Sequence, residues 1–142
     1  MSDIQFAQLT FDELSFLVKR AALNGELSLI CEILQYNNSE DLRGQAVAYA
    51  AEAGHLEIIQ ELLKNGATIS QEYRGQAVIN AALEGHHHVI HELLKNKAMI
   101  APDAWKDALR CAVEHDHLDC VHELSENVPL ESHSKISKRR PK

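Results

Sequence analysis

The residues best suited to chemistry in this chain are its histidines, its cysteines and a register of glutamates. Nine of the 142 residues are His, and the run His86-His87-His88-Val89-Ile90-His91 concentrates four of them. His87 and His91 stand at i, i+4, a spacing that brings two imidazoles to one helix face and can hold a divalent ion. A closed site needs more ligands. His122 lies 31 residues beyond His91, roughly 10 Å away if the two helices stack as neighbours, too far to share the ion. Cys111 and His115 repeat the i, i+4 spacing with Cys120 nearby, but both cysteines fall in apolar core slots. His87 and His91 are therefore weak metal candidates, and no cofactor is expected. A related expectation is acid sensitivity, with histidines charging between about pH 5 and 7 and loosening this part of the chain. Glu32, Glu61, Glu92 and Glu123 recur at one depth. At a separation of roughly 10 Å they are too far apart to cooperate as a catalytic pair, and their positions read as a solvated outer helix face, with Lys64 and Lys95 at i+3 to Glu61 and Glu92. No phosphate-cradling Gly loop, nucleophile elbow or zinc-protease helix is present in the sequence, so no enzyme is expected.

The elements that must position these residues are repeats. Arg43-Gly44-Gln45-Ala46-Val47 returns 31 residues later as Arg74-Gly75-Gln76-Ala77-Val78. Ala50-Ala51-Glu52-Ala53-Gly54-His55 returns as Ala81-Ala82-Leu83-Glu84-Gly85-His86. Worn copies precede and follow, in Ala21-Ala22-Leu23-Asn24-Gly25 and Ala112-Val113-Glu114-His115-Asp116. A fixed period of this size marks stacked units, each burying its apolar face against its neighbours. Within a unit, Ala46, Val47, Ala50 and Ala51 form one helical stripe. Gly54-His55 breaks it, and Leu56, Ile58, Ile59, Leu62 and Leu63 form a second before Asn65-Gly66. Thr10-x-x-Glu13 has capping-box spacing and Pro102-Asp103 opens another helix. Four helix pairs and no substantial sheet are expected, with His55, His86 and His117 as turn-packing residues.

The leucine slot of Leu34, Leu63 and Leu94 becomes Ser125, as suits a terminal repeat with no neighbour to cover it. Residues 1–12 supply Ile4, Phe6 and Leu9 to cover the other end. One domain over residues 1–131 is expected, made of this capping segment and four repeats spanning about 14–131. Residues 132–142 read as a disordered basic tail.

Charge narrows the partners. The net charge is −7, and the tail carries Lys135, Lys138, Arg139, Arg140 and Lys142 without an acid, so removing those five positive charges leaves −12 for residues 1–131. Such a body repels nucleic-acid backbones. No apolar run reaches the roughly 18 residues that cross a bilayer, and Met1-Ser2-Asp3-Ile4-Gln5 lacks a secretory signal's features. Three cysteines without Cys-x-x-Cys spacing favour a reducing compartment. A monomeric cytoplasmic protein is expected, with Lys138-Arg139-Arg140-Pro141-Lys142 as a candidate nuclear-import signal.

The run Ala50-Ala51-x-x-Gly54-His55-Leu56-Glu57-Ile58-Ile59-x-x-Leu62-Leu63-x-x-Gly66-Ala67-x-Ile69 resembles the second half of an ankyrin repeat. The Thr-Pro-Leu-His entry of that family is absent, and the period is two short of its usual 33. The resemblance implies an all-α, ankyrin-type helical-hairpin solenoid with short or irregular finger loops. It also implies a protein–protein interaction module, an adaptor, scaffold or inhibitor that grips a partner with its concave helix face and loops. By the family's variable slots, partner-binding positions are Asn24, Glu52, Ala53, Leu83, Glu84, Glu114 and His115, with Tyr73, Asp103 and Trp105 on or beside the loops. Trp105, in the otherwise polar slot of Arg43 and Arg74, is expected as an exposed anchor or a local patch over a loop. Glu52, Glu84 and Glu114 would steer a basic partner segment. Worn repeats of this kind in bacterial and viral proteins act on host proteins, so a host-directed effector is a further expectation. The alternative function is a metal- or pH-responsive module using residues 86–91.

Overall fold

The computed structural model describes residues 6–64, 69–95 and 100–126. Eight helices follow one another in antiparallel pairs, and no strand occurs among the described residues. The first members of the pairs are α1 (Phe11–Asn24), α3 (Glu40–Ala53), α5 (Gln71–Glu84) and α7 (Pro102–Glu114). The second members are α2 (Leu27–Tyr36), α4 (Leu56–Lys64), α6 (His87–Lys95) and α8 (Leu118–Glu126). The stack is held mainly by first helix against first helix, α1 on α3, α3 on α5 and α5 on α7.

That packing follows from small residues. In α3, Gly44, Ala46, Ala48, Ala50 and Ala51 are buried with Leu42 and Val47, because α1 and α5 cover opposite sides of it. Gly44 and Gly75 are where neighbours come closest. A methyl group on Gly44 would overlap the Tyr73 ring, and one on Gly75 would stand 2.9 Å from the Ala104 Cβ. The repeated Arg-Gly-Gln-Ala motif is thus a helix-contact motif.

The first helices start earlier than the apolar stripe indicates. Ser39 and Ser70 cap α3 and α5 by accepting from the Leu42 and Tyr73 amides at 3.1 and 3.3 Å, and acids in the first turn complement the helix dipole. The region expected to form finger loops is therefore partly helix, and only residues 37–39 separate α2 from α3. Thr10 and Glu13 form the expected capping box (3.1 and 2.8 Å), and Pro102 opens α7.

Each turn inside a pair is built alike. Gly25, Gly54 and Gly85 adopt left-handed backbone (φ 79°, 81° and 82°), and Asp116 takes that conformation in the fourth unit (φ 59°). The following histidine then reaches back one repeat. The ring Nε2–H of His55 donates to the Leu23 carbonyl (3.0 Å), and that of His117 to the Leu83 carbonyl (3.1 Å). These carbonyls lie in the last turns of first helices, where no intrahelical donor remains. Rings of His55, His86 and His117 lie against Gly25, Gly54 and Gly85, where a side chain would collide.

At the amino-terminal end Phe6 is fully buried, its ring 6.0 Å from Tyr36, and Leu9 is half-buried. At the other end Ser125 is exposed, yet Val113 and Leu118 are also exposed, at 55% and 74%. Val113 occupies the slot of Ala51 and Ala82, both buried under a following repeat. Ile4 and the tail, residues 132–142, lie outside the described residues.

Candidate functional site

The first-helix face carries most of the candidate residues. Asn24, Glu52, Glu84 and Glu114 are exposed at the last turns of α1, α3, α5 and α7, while Ala53 and Leu83 are half-buried beside them. His115 is exposed, its Nδ1–H bonded to the Cys111 carbonyl at 3.0 Å, and its ring stacks 6.1 Å from His117. At the opposite end of the same helices stand Asp12, Asp41, Glu72 and Asp103, all exposed and one to each first helix.

Trp105 requires a correction. It is 7% exposed, and its indole N–H donates to the Leu124 carbonyl of α8 at 3.1 Å. The slot it shares with Arg43 and Arg74 is half-buried in those two units. Arg43 donates to the Asn38 carbonyl (2.8 Å) and Arg74 to the Ile69 carbonyl (3.1 Å), and burial lowers the pKa of the Arg74 guanidinium. The slot calls for an N–H donor that ties a backbone carbonyl, and Trp105 supplies one from a buried ring. It is a core residue of the fourth pair and no exposed anchor. Asp103 and Tyr73 lie beside the connecting segments, in the first turns of α7 and α5. Tyr73 is half-buried across Gly44, with its hydroxyl donating to Asp41 at 3.4 Å. Burial and, secondarily, the Asp41 charge push its pKa up.

An exposed aromatic does exist, and the sequence reading missed it. Phe16 on α1 is 62% exposed. Aligned through Gly25 and Gly54, it occupies the slot of Gln45, Gln76 and Asp107. An apolar residue in a slot polar in every other unit was its signal. Phe11, 43% exposed on the same helix, accompanies it.

Between α5 and α7 the face is indented by a groove of about 420 Å³. Gly75, Ile79 and Ala104 contribute apolar surface, and Glu72, Asp103 and Asp107 bring three carboxylates. Asp107 pairs with Arg110 at 2.9 Å. The groove exists because Gly75 has no side chain and lets α7 approach without filling the space.

The histidine cluster is organised differently. His91 Nδ1 is 2.7 Å from Glu123 Oε2, His87 Nε2 is 3.8 Å from Asp119 Oδ2, and His122 Nε2 is 3.0 Å from Glu126 Oε2. Each histidine faces its own carboxylate, and no three His, Cys, Asp or Glu among the described residues converge to hold a metal ion. The glutamate row is corrected too. Glu32 is exposed, but Glu61 and Glu123 are half-buried and Glu92 is buried. Gln60 donates to Glu92 at 3.5 Å, so the row is wedged between successive second helices. The expected Glu61–Lys64 pair forms at 3.1 Å, whereas the Lys95 side chain lies outside the described residues. Cys111 is half-buried and Cys120 fully buried, and burial, with Asp119 and Glu123 adding to it, pushes the Cys120 thiol up to about 11.

Stacked antiparallel helix pairs in register define a helical-hairpin solenoid. The family model for ankyrin repeats (3 copies) matches residues 18–103 and 48–132, and the chain belongs to the ankyrin repeat family. No curated protein and no solved structure matches it. Ankyrin repeats are protein–protein interaction modules in general. No helix among the described residues is long and apolar enough to cross a membrane.

Proposed function

We propose that this chain is an adaptor or inhibitor that holds a partner protein on its first-helix face, acting as a monomer in the cytoplasm without turnover. The observation that carries the reading is the composition of that face. Carboxylates border both ends of the first helices, and Phe16 and the α5–α7 groove supply apolar relief between them. A partner segment with basic side chains flanking an apolar anchor complements this surface. The acids steer it and set its register, and Phe16 and Leu83 offer desolvated contact. Asn24, Glu52, Glu84, Asp103, Glu114 and His115 are the polar contacts. Ala53 and Tyr73 shape the surface beneath them.

Capture from lysate tests this with two folded variants. Phe16→Arg with Glu52→Arg and Glu84→Arg alters the first-helix face, and Gln60→Arg with His122→Glu alters the second-helix face. The reading requires a partner lost by the first variant and kept by the second. The reverse pattern would refute it.

A further inference from the structure

We infer that the chain's own basic tail is an occupant of the α5–α7 groove, folding back within the same molecule. This rests on the reading of that face as the gripping surface, and it makes the tail a competitor of any partner that uses the groove. Three observations converge. The first is shape and charge, because an apolar floor of Gly75, Ile79 and Ala104 under Glu72, Asp103 and Asp107 suits a Lys or Arg side chain. The alkyl stem lies on the floor while the head reaches the carboxylates. Glu72 and Asp103 form no ion pair among the described residues, which leaves them open to one.

The second is where the chain leaves the stack. Trp105 directly follows the groove residues Asp103 and Ala104, and its ring is 3.1 Å from the carbonyl of Leu124, two residues before α8 ends at Glu126. The described end of α8 therefore lies at the end of α7 that borders the groove. The third is the length and charge pattern of residues 127–142. Residues 127–134 contain no Lys or Arg, and Lys135, Lys138, Arg139 and Arg140 follow. Lys138 is twelve residues past Glu126, giving a reach of up to about 40 Å, ample to turn back. Closing a loop of this length costs little more than closing a shorter one, and tethering gives the tail an effective concentration on the order of millimolar at the groove. Charge favours the return, since residues 1–126 carry −11 and residues 127–142, with Glu131 their one acid, carry +4.

The test uses the full chain, isotopically labelled, in wild-type form and with Lys138→Glu, Arg139→Glu and Arg140→Glu. The substitutions leave the sequence of all eight described helices unchanged, and circular dichroism checks that both proteins are folded. Backbone amide shifts are compared at low and high salt. The inference requires differences concentrated at Glu72, Gly75, Asp103 and Ala104, several-fold larger than on α2 and α4. They must fade in high salt, where exposed pairs are screened, and must not depend on protein concentration. A labelled peptide of residues 132–142 should also bind the tail variant at least about ten-fold more tightly than wild type, whose groove is occupied. Unchanged α5 and α7 amides, differences on another face, or differences that grow with protein concentration would each overturn it. Neither readout involves an outside partner, so failure here leaves the capture experiment above intact, and failure there leaves this one readable.

Discussion

Replacing Trp105 separates a core role from a binding role. Its ring is 7% exposed and its N–H is bonded to a buried carbonyl, that of Leu124. Truncating a buried Trp to Ala costs about 3–5 kcal/mol, through lost contacts and the cavity left behind. Part of that cost is the Leu124 carbonyl left without its donor, about 1–3 kcal/mol. Trp105→Phe keeps most of the ring and loses the N–H, so about 1–2 kcal/mol is expected. Because α7 and α8 form the last described pair, the damage falls first on that pair, and unfolding should lose two-state character. For a chain of this size 1 kcal/mol moves the midpoint by about 4 °C, so Trp105→Ala should lower Tm by about 10–20 °C and Trp105→Phe by about 4–8 °C. Circular dichroism melts of the variants measure this. The chain has one Trp, so wild-type fluorescence reports directly on the α7–α8 pair. A Trp105→Ala protein that melts within about 1 °C of wild type would refute the core assignment, and loss of partner capture by that protein would restore the anchor.

Further predictions follow the same geometry. Gly54→Ala forces a side chain into left-handed backbone (φ 81°) with its Cβ 2.7 Å from the His86 ring. The backbone alone costs about 1–2 kcal/mol, and urea denaturation should show at least that loss. Asp116→Gly relieves the same conformation in the fourth unit and should stabilise by about 0.5–1 kcal/mol, read by the same titration. His117→Ala removes the donor to the Leu83 carbonyl and should cost about 1 kcal/mol. The Cys120 thiol has a pKa raised from 9.0 to about 11, so its neutral form is favoured by folding. Its contribution is intact below pH 9 and lost as pH rises from 9 towards 11. Native-state alkylation at pH 8 should therefore label Cys120 far more slowly than in urea.

Much of the architecture was legible because the repeat is nearly literal where it matters for packing. Gly54-His55 and Gly85-His86 marked the turns, and the Leu/Ile stripes of α4 and α6 marked the second helices. The early starts of α3 and α5 were harder to read. Gly44 and Gly75 weaken the helical pattern, and the reason for them, the approach of Tyr73 and Ala104, belongs to the next repeat. Trp105 was misjudged because a slot holding Arg twice reads as solvent-facing. Its common property is donation to a backbone carbonyl, which appears only when the chain is folded. Glu92 misled for a related reason, since the face it occupies is covered by the neighbouring unit. Phe16 was visible as an apolar residue in a polar slot, though only after aligning the worn first unit through its glycine. The groove had no sequence signature, because it is a space between two helices.

Site-specific photocrosslinking tests the grip on the first-helix face most directly. A photoreactive phenylalanine analogue is placed in turn at Phe16, Glu52 and Glu84 on the first-helix face and at Gln60 and His122 on the second-helix face, all exposed. The account requires a captured partner to crosslink from the first set and not from the second. Crosslinks confined to Gln60 and His122 would contradict it.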